Sequence, residues 1–214
     1  MSKFTSTCIC VAVVLTLISG SAPLRAQVGK SQGVVDANTT AEKDLATMPH
    51  MTPAIAKALV AQRPFDSIVD LNKFLLGQGL TAEQAMEFYA RAFVHINLNT
   101  ATSEEILLVP GAGRRMTREF AEYRPWKTYA QFDKEIGKYV GAEATAKLAQ
   151  HTFIPLNPNT ASDADLMTVP GASASTIDTI RKGRPYASIT ALEQALTKTT
   201  NAKEGRRLAR YFAL

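Results

Sequence analysis

The sequence predicts an all-α protein built from three tandem repeats of about 60 residues behind an N-terminal signal peptide, each repeat a pair of two-helix hairpins. Three observations carry this. From Val35 the chain reads VDANTTAEKDLATMPHMT, from Ile96 INLNTATSEEILLVPGAG and from Leu156 LNPNTASDADLMTVPGAS. These runs align Asn38 with Asn99 and Asn159, and Pro49 with Pro110 and Pro170, at spacings of 61 and 60 residues. The register persists at Arg63-Pro64-Phe65, Arg124-Pro125-Trp126 and Arg184-Pro185-Tyr186, each followed two residues later by Ser67, Thr128 or Ser188. Finally, no stretch alternates apolar and polar residues in the period of a half-buried strand.

Residues 1–26 read as a secretory signal. Lys3 supplies the positive start, Cys8 to Ile18 is apolar but short for a bilayer span, and Ser19, Gly20, Ser21, Ala22 and Ala26 are the small residues a signal peptidase accepts. Cleavage is expected after Ala26, leaving a polar leader at 27–33 and units at 34–94, 95–155 and 156–214. Both cysteines, Cys8 and Cys10, leave with the signal and neither lies in a lipobox. The expected mature protein therefore has no thiol, disulfide or membrane anchor, and its expected location is periplasmic or secreted. Lys3 and Arg25 leave too, so 24 basic residues become 22 against 19 acidic ones, a balance that does not by itself point to a polyanion.

The middle unit has the clearest local grammar. Thr102 and Glu105 form a capping box that starts a helix, and Ser162 with Asp165 repeats it in the third unit; the first unit offers only Thr40, with Lys43 where an acid would help. Ile106, Leu107 and Val109 give that helix an apolar side. Pro110 stops it, and Gly111-Ala112-Gly113 makes a tight turn. A second helix is expected from about Arg114 to near Tyr123, where Pro125 disfavours the α region for Arg124. Thr128 caps the next helix, which carries Phe132, Ile136 and Tyr139. After a break at Gly141 comes a last helix with Ala146 and Leu148.

Three scattered histidines, His50, His95 and His151, have no metal-ligand spacing and are expected at ordinary surface or boundary positions. The phosphate-loop, dinucleotide and nucleophile-elbow motifs are absent from the sequence. Glu104 and Glu105 open a helix, where acids suit the dipole. The expectation is a non-enzymatic protein with no catalytic residue, metal site, cofactor or identified small-molecule substrate. Trp126 and its counterparts are expected to pack in the core.

The run NLNTATSEEILLVPGAGRRMTREFAEYRPW resembles the helix-hairpin-helix repeats of the ComEA competence DNA-receptor family, in which an NxNTA start, a PGxG hairpin and a YR-type helix end recur. The likeness extends over all three units. RPFDSIVDL is also similar to the lumenal extrinsic subunit family of photosystem II, which has the same paired hairpins and acts through protein contacts. The first resemblance implies sequence-independent binding of double-stranded DNA, with a role in DNA uptake. The second implies a periplasmic or envelope adaptor that binds a protein and no DNA.

In such a hairpin the glycine turn exposes backbone N–H groups at a helix start to a phosphate oxygen, and a cation just beyond adds a charge-assisted contact. The middle unit has the full pattern in Gly111, Ala112, Gly113, Arg114, Arg115 and Arg118, with Arg115 at the family's phosphate-binding position; the same glycines would equally serve a purely structural turn. In the first unit His50 and Thr52 replace both glycines and Lys57 is the one nearby cation, so no DNA contact is expected there. The third keeps Gly171 but has Ser173, and its tail offers Lys203, Arg206, Arg207 and Arg210, expected to line one side of the final helix.

Overall fold

A computed structural model describes residues 33–214, so the signal reading at 1–26, and all of the leader but Gly33, fall outside the described residues. The chain is mostly helical over the described residues. Its elements run β1 (Val35–Asp36), α1 (Glu42–Leu45), α2 (Pro53–Gln62), α3 (Ile68–Gly77), α4 (Ala82–Tyr89), β2 (Ala92–Phe93), β3 (Ile96–Asn97), α5 (Ser103–Leu107), α6 (Arg114–Glu122), α7 (Tyr129–Ala149), β4 (Thr152–Phe153), α8 (Asp163–Leu166), α9 (Ala174–Lys182), α10 (Ile189–Thr199) and α11 (Ala202–Ala209).

Local chemistry accounts for the helix starts. Reciprocal capping boxes form at Thr102 with Glu105 and at Ser162 with Asp165, and Thr128 accepts from the Gln131 N–H at 3.1 Å. Thr40 does not cap α1. Its hydroxyl turns back to donate to the Asp36 carbonyl at 2.7 Å, and Ala41 takes the cap position with no side-chain bond. Inside α7, Gly141 adopts φ 78°, which breaks the helix into two.

Short strands depart from the all-α expectation. Val35 and Asp36 pair in parallel with Ala92 and Phe93, Ile96 and Asn97 with Thr152 and Phe153, and Leu156 bridges Phe212 in the same sense. Each pairing ties the start of a stretch of nearly 60 residues to its end. Two residues per strand are too few to show a period, which is why no alternation announced them.

A second long-range tie recurs. The side-chain amides of Asn38, Asn99 and Asn159 each make two bonds to a residue 27 positions on, accepting from its N–H and donating to its carbonyl; those residues are Phe65, Trp126 and Tyr186. The tie holds each aromatic ring inward, all three being buried, and Trp126 Nε1 donates to the Phe120 carbonyl at 2.9 Å. The Arg-Pro bonds just before these rings are cis in all three places.

One core runs through residues 34–154 around Phe93, Phe120, Trp126 and Phe132, and a second, between 153 and 212, surrounds Leu166, Ile180, Leu192 and Tyr211. The seam where they meet is polar. Asp36 accepts from the Tyr211 hydroxyl at 3.0 Å and faces His95 Nδ1 at 3.4 Å, while Arg210 donates to the His95 carbonyl at 2.9 Å. His95 is thus buried, not at the surface, and so is His151, which lies between the Lys147 and Tyr89 carbonyls and against the Phe93 ring; residues remote in sequence bury both. Burial alone would raise the Asp36 carboxyl. The hydrogen bond and charge of His95, with Arg207 and Tyr211, outweigh it and hold the group below the ordinary carboxylate range.

Candidate nucleic-acid interface

The middle hairpin is built as the sequence predicts. α5 ends at Leu107, the chain turns through Gly111 at φ 84°, and α6 starts after Gly113. Gly113 has no side chain to cap α6. The Ala112 N–H bonds to the Val109 carbonyl at 2.9 Å and the Met116 N–H to the Gly113 carbonyl at 2.8 Å. The N–H groups of Gly113, Arg114 and Arg115 have no acceptor among the described residues. Gly111, Gly113 and Arg114 are exposed, whereas Ala112 tucks into the core. The donors at the positive end of this nine-residue helix therefore face water.

Two of the three arginines there are oriented by neighbours. Arg115 lies over the Tyr139 ring at 4.3 Å, with its Nε 3.5 Å from the Glu119 carboxylate, and Arg118 is 3.8 Å from the same carboxylate. Glu119 is buried, yet the side chains of Arg115 and Arg118 remain 57% and 73% exposed. One carboxylate shared at such distances leaves most guanidinium N–H groups open to an anion.

The other two hairpins are built differently. In the first, His50 occupies the turn at φ 60°, where Gly111 and Gly171 have φ 84° and 75°. Its Nε2 sits 2.8 Å from Glu87, Thr52 caps α2, and Pro53 at the first helical position removes an N–H altogether. In the third, the Ser173 hydroxyl accepts from the Thr176 N–H at 3.2 Å. A methyl group on Gly171 would meet Arg207 at 2.6 Å and Thr39 at 3.0 Å, so that turn rests on the last helix and on the segment between β1 and α1.

The basic tail corrects the expectation most sharply. Arg207 is buried, its side chain 2% exposed, and it grips Glu204 through Nε at 2.8 Å and Nη2 at 2.5 Å. Arg210 is half-buried, donating to the His95 carbonyl and lying 5.5 Å from the Tyr211 ring. Arg207 turns toward Glu204 and the Gly171 turn, and Arg210 toward the His95 carbonyl. Arg206 stays exposed, 3.8 Å from Glu193, and Lys203 is exposed as well. The four bases therefore form no continuous stripe.

Among the described residues, no three of His, Cys, Asp and Glu gather as metal ligands, and no helix is long and apolar enough to cross a membrane. Set against family models, curated proteins and solved structures, the chain matches none of them.

Proposed function

We propose that this chain is an exported protein of three helix-hairpin-helix units, periplasmic or secreted, that binds double-stranded DNA without sequence preference, in the manner of the ComEA family it resembles, and serves DNA uptake. One observation carries the reading. The turn at Gly111–Gly113 leaves uncapped N–H groups at the start of α6 facing water, beside Arg114, Arg115 and Arg118. A phosphate oxygen seated there meets aligned backbone donors and guanidinium groups together, and such contacts carry no base information. In the first turn Pro53 lacks an N–H, and in the third no Lys or Arg follows until Arg181, so the reading centres on the middle hairpin; of the predicted tail bases, Lys203 and Arg206 stay exposed.

Fluorescence anisotropy with a labelled random duplex tests the proposal. Arg114→Gln and Arg118→Gln are each expected to weaken binding to every sequence alike. Retention of one protein partner from an envelope extract, with no duplex bound at low salt, would instead identify an adaptor.

A further inference from the structure

The three Arg-Pro arginines occupy equivalent positions, yet they do not behave alike. Arg124 donates from Nε to the Leu98 carbonyl at 2.8 Å and from Nη2 to the Ala101 carbonyl at 2.6 Å; Arg184 makes the same pair to Pro158 and Ala161, at 2.6 and 2.7 Å. The corresponding carbonyls for Arg63 are those of Ala37 and Thr40. Arg63 bonds to neither, and its Nε and Nη2 are buried with no hydrogen-bond partner. These two atoms form one edge of the guanidinium, the planar fork that suits two oxygens of an oxyanion.

Arg63 lines a pocket of about 240 Å³ between the start of the chain and its end, with Asn38, Pro64, Asn201, Lys203, Glu204 and Arg207. Arg207 also has an unpartnered buried nitrogen, Nη1. Asn201 caps α11, so the first turn of that helix, with its positive end, forms part of the wall. Three cations thus line the pocket against one carboxylate, Glu204, which is already held twice by Arg207. Burial lowers the Arg63 pKa; Asp36 counters this, whereas Arg207 adds a like charge. Buried donors without acceptors and neighbouring guanidinium groups are each costly, and water can satisfy the first but not neutralise the second.

We infer that Arg63, Lys203 and Arg207 form a binding site for a small tetrahedral oxyanion of the phosphate class at the seam between the first and last units. The volume lies below the roughly 300–1,000 Å³ of pockets that enclose drug-sized ligands, which favours a free anion or a small ester over a nucleotide. The site does not involve the Gly111–Gly113 turn and stands independently of the nucleic-acid reading.

Titration of the full chain with inorganic phosphate at constant ionic strength, read by phosphorus NMR and by melting temperature, tests the inference. Saturable binding with one site per chain is expected. Arg63→Gln should weaken it about tenfold or more, the loss of a charged hydrogen-bond pair, whereas Lys147→Gln, a charge-matched change elsewhere, should leave it intact. In chloride buffer without phosphate, Arg63→Gln should melt no lower than the parent, because the side chain it removes makes no hydrogen bond in the fold. No saturable response, an equal response in Arg63→Gln, or a marked loss of phosphate-free stability in that variant would each overturn the site. Displacement of bound phosphate by random duplex would identify nucleic-acid phosphates as the natural source; retention would identify a free anion.

Discussion

The side chain of Asn99 and the backbone of Trp126 hold each other by two hydrogen bonds, Trp126 N–H to Oδ1 at 2.6 Å and Nδ2 to the Trp126 carbonyl at 3.0 Å. This clasp joins the second residue after β3 to the far end of the helical hairpin formed by α5 and α6, and it sets the indole into the core. Removing the amide orphans a backbone N–H and a carbonyl at the core's edge. Asn99→Ala is expected to cost about 2–3 kcal/mol in chemical denaturation, and the same change at Asn38 or Asn159 a comparable amount. A loss below half that value at all three positions would contradict the clasp.

His151 predicts an acid sensitivity. Burial pushes its pKa from 6.5 down to about 4, against the pull of carbonyls at both ring nitrogens, Lys147 at 2.9 Å and Tyr89 at 3.1 Å, while nearby His95 lowers it further. Between those values the unfolded chain takes up a proton that the folded chain refuses. The contribution is full above about pH 6.5 and is lost as pH falls toward 4, by up to about 3 kcal/mol. Urea denaturation across this range should show the decline, and His151→Gln should flatten it. An unchanged slope in the variant would assign the decline elsewhere.

Gly205 sits within α11 where that helix crosses α10 closely. A Cβ there would lie 2.9 Å from the Thr197 backbone nitrogen and 3.0 Å from its Cα, backbone atoms that cannot swing aside. Gly205→Ala is expected to cost about 3 kcal/mol despite the higher helix propensity of alanine, measured as a shift in denaturation midpoint. A neutral or stabilising result would mean that the two helices can separate freely.

The hairpin glycines should separate stability from binding. A Cβ at Gly113 meets nothing within 4 Å and its φ of −83° is ordinary, so Gly113→Ala should leave the fold unaffected while its methyl crowds an approaching phosphate and weakens duplex binding. Gly111→Ala has equal space, but φ 84° adds a strain of about 1 kcal/mol. Unchanged duplex affinity in Gly113→Ala would show that the turn closes a hairpin and contacts no phosphate.

What was legible in the sequence was what depends on near neighbours. Thr102, Thr128 and Ser162 cap their helices because a hydroxyl and an N–H three residues on decide the matter, and Gly141 breaks α7 as expected. The core position of Trp126 is likewise readable, because it coincides with a helix stop. The rest depends on distant partners. Glu204 lies one turn before Arg207, but nothing near Arg207 announces that the Gly171 turn will cover it, and no local feature of Asp36 points to Tyr211, 175 residues later. Likewise Arg63, Arg124 and Arg184 read as one motif, and only three-dimensional packing separates the first from the other two.

The salt dependence of random-duplex affinity tests the central claim most directly. With two to three phosphates held by the Gly111–Gly113 turn and its arginines, the logarithm of affinity should fall against the logarithm of salt concentration with a slope of about −2 to −3. Arg114→Gln should reduce that slope by about one. Absence of duplex binding at low salt, or a slope unaltered when Arg114, Arg115 and Arg118 are all replaced by glutamine, would contradict the account.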